Sequence, residues 1–495
     1  MLENAVAALS ALVEEAVAES RTAGVSWALI GGHAHEEAVL AHGAAGHREL
    51  HGGAPAPGSA PMDRGTISRI ASMTKSFTAA TVLALRDEGA LRLDDPVALH
   101  VPEAAGAFDQ VPGDPEITLR LLLTMSAGLV TDNPWGDRQE SLTREQFAAV
   151  LAGGLGAAHR PGTAFEYSNT GYALLGRVID EVTGSDYTAE IRRRFLDPLG
   201  LADTGWSAAE IDASRLATGH RVADRADASR FEPVPLDSPG VYGAMAGLFS
   251  TVDDVAAWVR FLAATKEGGP LSLASRREMQ QIHRHQSLPA RDGGFDRIRG
   301  YGFGLVIEQF PDLGTVISHS GGYPGYGSFM VWHRDSGVGV TMLANSKYAP
   351  ATALSMQALR LLHAEVPQLL APRVPVPAPR TAQAATAMLD WLAGGPEEQA
   401  ERWFADTMDL DAPRDERRRR AATALERTGL SAADLRALQV GEAEVLTPAQ
   451  LRWSVPGAVE GTALRIDLLM DPRREALVQQ LETTAVAAPG AQPKA

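Results

Sequence analysis

Alanine, leucine and valine recur at helical spacing through residues 1–24, which predicts an amphipathic helix packed on a domain. Two apolar runs follow, "GVSWALIGG" (24–32) and "EAVLAHGAAGH" (37–47), and they predict the strands of a hairpin. From Ser72 the apolar positions recur with a period near 3.6 as far as Gly89, a residue type that commonly ends helices. The first ninety residues therefore predict a helix, a hairpin and a second helix.

Further helical patterns occupy "TLRLLLTMSAGL" (118–129), "TGYALLGRVIDEVTG" (170–184) and "ALSMQALRLLHAEV" (353–366). Between the last two, from residue 301, glycine, proline and aspartate turn signals divide a β-rich region. Its four runs are "YGFGLVIEQF", "GTVISHSGG", "YGSFMVWHR" and "GVGVTMLANS". The pattern predicts an α+β fold with helices in the middle and antiparallel strands that complete a sheet.

A proline-rich segment predicts where this first domain, residues 1–368, ends. "APRVPVPAPR" has four prolines in ten residues, so residues 369–381 are expected to form a semi-rigid linker. Residues 382–487 then show two helical stretches and three or four strand patterns, which predict a small α+β domain whose role the sequence leaves open. The composition of residues 488–495 is typical of a disordered tail.

The composition restricts the possible partners and locations. The formal net charge is −16, which disfavours nucleic acid and anionic membranes as partners. The absence of cysteine excludes disulfides and thiolate chemistry. No apolar run reaches the roughly 18 residues of a membrane helix, and the amino terminus lacks a basic signal region. We therefore expect a cytoplasmic protein; its oligomeric state is open.

The scarcity of lysine draws attention to "ASMTKSF" (71–77). Lysine occurs four times among 45 cationic residues, and one of the four, Lys75, lies three residues after Ser72. Residues at this spacing share a helix face, and a desolvated lysine can take a proton from a serine hydroxyl, whereas arginine cannot. The alternative interpretation is a capping serine with a solvent-exposed lysine.

Two further motifs favour the catalytic interpretation. "YSN" places Tyr167 and Asn169 before a helix, so that a tyrosine can shuttle a proton and an asparagine can donate to a substrate carbonyl. "HSGG" ends a strand before a glycine-rich turn, where the backbone can approach a substrate and supply an oxyanion donor. That strand contributes His319, Ser320, Gly321 and Gly322.

In these motifs the chain resembles the serine β-lactamase and penicillin-binding-protein superfamily, in the branch with class C β-lactamases, DD-carboxypeptidases, D-aminopeptidases and family VIII-type esterases. The resemblance covers roughly residues 5–365, and the three motifs occur in the order of the family. It implies a β-lactamase/transpeptidase-like fold with an antiparallel sheet, flanking helices and an all-helical subdomain.

The resemblance also implies roles for the motif residues. Ser72 would form an acyl-enzyme, while Lys75 and Tyr167 share the proton transfers, with the base of each half-reaction left open. Asn169 and the strand 319–322 would align the substrate, and the backbone N–H groups of Ser72 and Gly322 would bind the oxyanion. In "TDNPWGDRQ" (131–139), a loop that borders the acyl pocket in the family, Trp135 and Asp132 are candidates for shaping specificity, with Trp135 as a substrate contact. No metal or cofactor is expected.

Two departures bear on the substrate. Histidine begins the third motif where class C β-lactamases typically carry lysine, and an export signal is not evident. Both favour an esterase, amidase or D-amino-acid peptidase acting on a small-molecule or peptide substrate over an efficient β-lactamase. A peptide-cyclising thioesterase or acyltransferase of the superfamily, and a penicillin-binding or acyl-trapping protein with little turnover, remain as alternatives.

Overall fold

A computed structural model describes residues 1–108, 113–224, 226–287, 297–347, 349–371 and 375–488. The chain divides into two compact units, Met1–Pro372 and Arg373–Ala495. Part of the expected linker, residues 372–374, and residues 489–495 of the expected tail lie outside the described residues. In the described part of the chain, no helix has the length and apolar character needed to cross a membrane.

An antiparallel sheet forms the centre of the first unit. Its described strands number eight: β1 (Gly24–Ile30), β2 (Val39–Gly46), β9 (Arg284–His285), β10 (Ile298–Tyr301), β11 (Val306–Phe310), β12 (Gly314–Tyr323), β13 (Tyr326–His333) and β14 (Gly339–Ala344). They follow the order β2-β1-β14-β13-β12-β11-β10-β9, so the amino-terminal hairpin lies beside the last strand of the unit. Short strand pairs are formed by β3 (Leu50–His51) with β4 (Ala54–Pro55), β5 (Ser68–Arg69) with β8 (Phe249–Ser250), and β6 (His220–Asp224) with β7 (Asp227–Pro233).

The helices of the first unit cover the sheet and form a separate helical region. They are α1 (Leu2–Ala18), α2 (Thr74–Asp87), α3 (Val97–His100), α4 (Leu119–Leu123), α5 (Asn133–Gly136), α6 (Arg144–Ala152), α7 (Asn169–Thr183), α8 (Tyr187–Ile191), α9 (Gly243–Ala246), α10 (Val252–Ala263), α11 (Leu273–Met279) and α12 (Ala351–Glu365). This arrangement has the predicted α+β class, with the hairpin and the long helices where the periodicity placed them.

Alternate side chains along the strands pack into two separate apolar layers, one on each face of the sheet. In β1, Trp27 and Leu29 pack with α1 and α12, whereas Ala28 and Ile30 pack into the core on the opposite face. Side chains in a strand point alternately to the two faces of the sheet, so a strand buried on both sides is apolar throughout. This sandwiching explains why every residue of β1 is buried.

Helices α2 and α7 lie at the centre of the helical region. Every residue from Thr74 to Leu85, and from Asn169 to Asp180, is buried. A helix surrounded on all sides by protein has no solvent-facing stripe, so polar side chains within it need internal partners. The polar residues near the amino ends of these two helices are those of the first two motifs.

Left-handed backbone at two residues changes the predicted helix bounds. The pattern in 118–129 predicted one helix, but α4 ends at Leu123 because Met125 has a φ of +55°. Ala71 has a φ of +47°, and Ser72 lies in a 3₁₀ turn, Ala71–Met73, that precedes α2. Non-glycine residues rarely adopt this conformation, so periodicity alone does not reveal it.

The second unit is built from helices followed by strands. The helices are α13 (Pro379–Leu392), α14 (Glu398–Trp403), α15 (Met408–Asp411), α16 (Arg414–Thr428) and α17 (Ala432–Ala437), and the antiparallel strands β15 (Glu444–Thr447), β16 (Gln450–Pro456), β17 (Thr462–Met470) and β18 (Val478–Ala487) pair in chain order. Residues 379–381, assigned to the linker from sequence, instead begin α13. Proline is tolerated there because the first-turn N–H groups have no partner within a helix.

Candidate active site

Ser72 lies on a constrained turn at the start of α2. The backbone N–H of Ile70 donates to the carbonyl of Leu248, and the carbonyl of Ile70 accepts from the Ser328 hydroxyl at 2.7 Å. The left-handed Ala71 follows and is fully buried. Strain of this kind persists only where the surrounding structure fixes it, and it concentrates at functional sites.

Lys75 lies one turn after Ser72 and is completely buried. Its ammonium donates to the Ser72 Oγ at 3.1 Å, to the Asn169 Oδ1 at 2.7 Å and to the Met245 carbonyl at 3.0 Å. Burial lowers the pKa of Lys75 to about 7, although the nearby Asp137 carboxylate acts in the opposite direction. A lysine with this pKa is partly neutral near pH 7 and can accept a proton from the serine hydroxyl.

Tyr167 is next to the same two side chains. The Lys75 Nζ lies 4.9 Å from the centre of the Tyr167 ring. Burial raises the pKa of Tyr167 above its usual value, and a hydrogen bond with the Ser72 side chain only partly offsets this effect. The phenol therefore stays protonated near neutral pH, which suits a proton donor more than a base.

The amino end of α7 is fixed by side-chain caps. The Asp132 carboxylate accepts from the backbone N–H groups of Asn169 at 2.6 Å and Thr170 at 2.8 Å, and the Ser168 hydroxyl accepts from Gly171. Carboxylates and serine hydroxyls at a helix amino end satisfy N–H groups that lack partners within the helix. The caps hold Asn169 where its side-chain oxygen meets Lys75.

The third motif lies on β12 beside the serine turn. A Cβ at Gly321 would overlap the Ser328 Oγ and the Ile70 carbonyl oxygen, so only glycine permits this approach. His319 is buried; its Nε2 lies 3.0 Å from the Tyr301 hydroxyl and its Nδ1 lies 2.7 Å from the Ser320 carbonyl. Burial, assisted by the charge of Lys75, lowers the pKa of His319 to about 3, so the imidazole is neutral at pH 7.

A cavity of about 400 Å³ opens over these residues. Its lining includes Ser72, Asn133, Asp137, Phe165, Tyr167, Gln286, Arg299, Tyr301, Val306, His319, Ser320, Gly322 and Lys347. The serine and tyrosine of the first two motifs and the third-motif strand therefore share one concave surface of the size that small ligands occupy.

A family model covers the part of the chain that contains these residues. The beta-lactamase family model matches residues 9–365, which contain all three motifs. The chain belongs to the beta-lactamase family. The match ends before the second unit begins, and the family is one of serine hydrolases within the serine β-lactamase/transpeptidase superfamily.

Curated and solved relatives of the family show how far the similarity extends. Protein flp of Staphylococcus aureus (strain COL) is 29% identical over 292 residues, which cover 57% of this chain and 53% of the relative. The chain thus spans about half the length of the curated relatives it matches first.

Two solved structures share the fold. The octameric penicillin-binding protein homologue from Pyrococcus abyssi has a TM-score of 0.61 at 22% identity, covering 97% of this chain and 99% of its own. The D-amino acid amidase from Ochrobactrum anthropi SV3 with bound L-phenylalanine amide has a TM-score of 0.58 at 24% identity, covering 74% and 99% respectively.

Two residues expected to contact substrate, Asn169 of the second motif and Trp135 of the loop 131–139, are not among the residues that line the cavity. Asn169 is fully buried beneath the cavity, with both its amide oxygen and its amide nitrogen bonded to protein groups. Trp135 packs edge-on against Tyr242, with ring centres 5.7 Å apart, and remains 43% exposed. The loop of Trp135 instead contributes Asn133 and Asp137 to the cavity lining.

Sequence reasoning missed several other groups at this beta-lactamase-family site. Tyr301 holds His319, the Met245 carbonyl holds Lys75, and Lys347 reaches the cavity from the loop after β14. The scarcity of lysine that drew attention to Lys75 applies equally to Lys347. The rarity of lysine was therefore a usable signal in the sequence, whereas no sequence pattern indicates that the Met245 carbonyl accepts a hydrogen bond from Lys75.

Proposed function

We propose that this protein is a serine hydrolase that forms an acyl-enzyme on Ser72 from an ester or amide, of the esterase, amidase or D-amino-acid peptidase type. The observation that carries the proposal is the 3.1 Å contact between the Lys75 Nζ and the Ser72 Oγ. Because burial brings the pKa of Lys75 to about 7, a base and a nucleophile are already in contact.

In the proposed reaction, neutral Lys75 takes the hydroxyl proton as the Ser72 Oγ attacks the carbonyl carbon. The backbone N–H groups of Ser72 and Gly322 bind the oxygen that becomes negatively charged. Tyr167, protonated because burial raises its pKa, passes a proton to the leaving group as the bond to the acyl carbon breaks, and the proton that Lys75 took from Ser72 then replaces it. Water next attacks the acyl carbon; one of its protons returns to the Ser72 Oγ as that ester bond breaks, and the acid is released.

The state of His319 supports an ester or amide substrate over a β-lactam. A lysine at this position would place a cation beside the substrate, whereas His319 is neutral, with Tyr301 and the Ser320 carbonyl at its two ring nitrogens. Its place in the site is to fix the strand beside the serine. The fold shared with the D-amino acid amidase from Ochrobactrum anthropi SV3 is consistent with amide substrates.

The test follows p-nitrophenol release from p-nitrophenyl butyrate and, by mass, product formation from D-phenylalanine amide or a penicillin, together with the intact mass of the protein in each incubation. We expect the wild type to turn over the ester, Ser72→Ala to be inactive, and Lys75→Arg to lose at least about a hundredfold because arginine cannot act as the base. As a control, Ser10→Ala changes a serine on α1, outside the three motifs, and should behave as wild type.

The outcomes separate the proposal from its alternatives. Equal turnover by Ser72→Ala or Lys75→Arg would contradict the assigned roles. A lasting adduct on Ser72 without product release would instead indicate an acyl-trapping protein. Transfer of the acyl group to an added amine in preference to water would indicate an acyltransferase.

A further inference from the structure

Lys347 is held beside the third motif by its backbone. Its N–H donates to the carbonyl of His220 at 3.0 Å, and the preceding Ser346 hydroxyl lies 2.9 Å from the Thr22 hydroxyl. A Cβ on Gly322 would lie 3.6 Å from the Lys347 Nζ. The ammonium therefore lies next to the glycine whose N–H is proposed to bind the oxyanion, and it lines the cavity.

Asn169 has no amide hydrogen left for a substrate. Its Nδ2 donates to the Asn133 Oδ1 at 3.0 Å and to the Asp137 Oδ1 at 3.4 Å, while its Oδ1 accepts from Lys75. An amide nitrogen has two hydrogens, so both are used within the protein. Asn169 thus positions Lys75, and any side-chain donor to a substrate must be another residue.

Lys347 has hydrogens to offer. Among the described residues its close partner is the Asp137 carboxylate, whose Oδ2 lies 3.4 Å from the Nζ, and an ammonium carries three donors. The side chain is 28% exposed, so it is neither buried nor fully solvated. Because Asp137 balances its charge, the pair presents a strong donor with little net charge, which suits a neutral carbonyl oxygen.

The arrangement of the cavity assigns Lys347 to one side of the serine. The rings of Tyr301 and His319 lie 6.5 and 6.4 Å from the Tyr167 ring, so these three residues form one side. On the proposed function, Tyr167 protonates the leaving group, which therefore lies on that side. Lys347 instead lies beside Gly322 and Asp137, so on the proposed function it would face the part of the substrate that stays on the enzyme.

We infer that Lys347 is the substrate-contacting donor on the acyl side of the site, and that it selects acyl groups carrying a carbonyl oxygen, such as the amide of an N-acylated amino acid. This inference rests on the proposed function of Ser72 and goes beyond it by naming a class of acyl group. A hydrogen bond from a charged donor to a ligand carbonyl supports a preference of about tenfold.

Two esters of equal size test this selection. p-Nitrophenyl 4-oxopentanoate carries a carbonyl where p-nitrophenyl 4-methylpentanoate carries a branched carbon. We expect the wild type to favour the oxo ester about tenfold in kcat/KM, and Lys347→Met to bring the ratio close to one. Lys266→Met, which changes an exposed lysine after α10, should keep the wild-type ratio.

The ratio distinguishes substrate contact from a structural role. If Lys347 only supported Asp137 and Asn169, its loss would lower both rates and leave the ratio unchanged, which would overturn the inference. A wild-type ratio of one with turnover of both esters would overturn it too, while leaving the proposed hydrolase intact. Turnover of neither ester, by an enzyme that also fails on the butyrate, would overturn both.

Discussion

At the scale of single residues, burial sets the protonation states of the site. Lys75 and His319 are both buried, and desolvation lowers the pKa of each, to about 7 and about 3. Burial raises the pKa of Tyr167 for the same reason, because the charged form of a phenol is the anion. Desolvation therefore leaves Lys75 able to act as a base and Tyr167 able to act as an acid, and both side chains contact Ser72.

These states predict how activity depends on pH. Below about pH 7 Lys75 gains a proton and cannot act as a base, so kcat/KM for an uncharged ester should rise as pH increases through about 7. His319 should add no inflection between pH 5 and 9, since its pKa is about 3. A profile measured from pH 5 to 9 checks this, and a flat profile would contradict Lys75 as the base.

The variant Asp137→Asn tests whether the inflection in the pH profile belongs to Lys75. The Asp137 carboxylate raises the pKa of Lys75, so its removal should move the inflection to lower pH. An inflection that stayed in place or moved to higher pH would show that another group titrates.

The sequence could predict which residues belong to the candidate site, but only some of the contacts that hold those residues in place. The fold brings Ser72, Lys75, Tyr167 and the strand 319–322 together, and the sequence could single them out because each lies in a motif with recognisable chemistry. The carbonyl that holds Lys75 belongs to Met245, 170 residues away, and only tertiary packing brings it there. Asn169 was predicted to contact substrate because no pattern reveals that neighbours occupy its amide.

At the scale of elements, a buried ion pair connects the strand before the serine to the loop after α5. Arg69 and Glu140 are 1% and 0% exposed and form a salt bridge. The guanidinium also lies 4.3 Å from the ring centre of Tyr323, at the end of β12, and 4.6 Å from that of Phe249. The pair thus joins the segments that carry the first and third motifs to the loop bordering the cavity.

Removing one partner of this pair should destabilise the first unit. Glu140→Ala leaves the Arg69 charge buried without its counter-ion, so the free energy of unfolding should fall by about 3–5 kcal/mol. Glu232→Ala breaks the exposed pair with Arg221 and should cost less than about 1 kcal/mol. Denaturant unfolding of the two variants checks the contrast, and equal losses would show that the buried pair has no special role.

Periodicity predicted several of the regular elements, although α6 and α10 were not among them. The hairpin, α7 and α12 follow their apolar spacing closely because burial of one face or all faces decides which residues fit. The pattern failed at two left-handed interruptions: Met125 breaks the helix predicted over 118–129, and Ala71, just before the predicted start at Ser72, begins a 3₁₀ turn, so that α2 starts only at Thr74. Both interruptions adjoin the site, since Met125 also accepts a hydrogen bond from the backbone N–H of Ser168 through its sulfur.

At the scale of the whole molecule, each unit has its own apolar core. The second unit buries Trp391, Trp403 and Trp453 together with aliphatic residues of β16–β18. All three family motifs lie in the first unit, and the family match ends at residue 365. The proline-rich composition between the units was visible in the sequence, but the start of α13 within it was not.

This division predicts that the two units respond separately to core substitutions. Trp391→Ala removes a fully buried side chain and should cost the second unit about 3–5 kcal/mol, lowering the temperature of its unfolding transition. Turnover of p-nitrophenyl butyrate below that transition should persist at the wild-type rate. A loss of turnover in the folded variant would mean that the second unit takes part in the reaction.

Because lysine is rare in this chain, the amine of Lys347 can be labelled with little competition from other lysines. Of four lysines in the chain, Lys75 is buried beneath its serine and Lys347 borders the cavity. An amine-directed reagent therefore has few competing targets, unlike in most proteins of this size. On the inferred role of Lys347, its labelling, read by peptide mass, would report whether a ligand occupies the acyl side, because a bound acyl group would shield the amine.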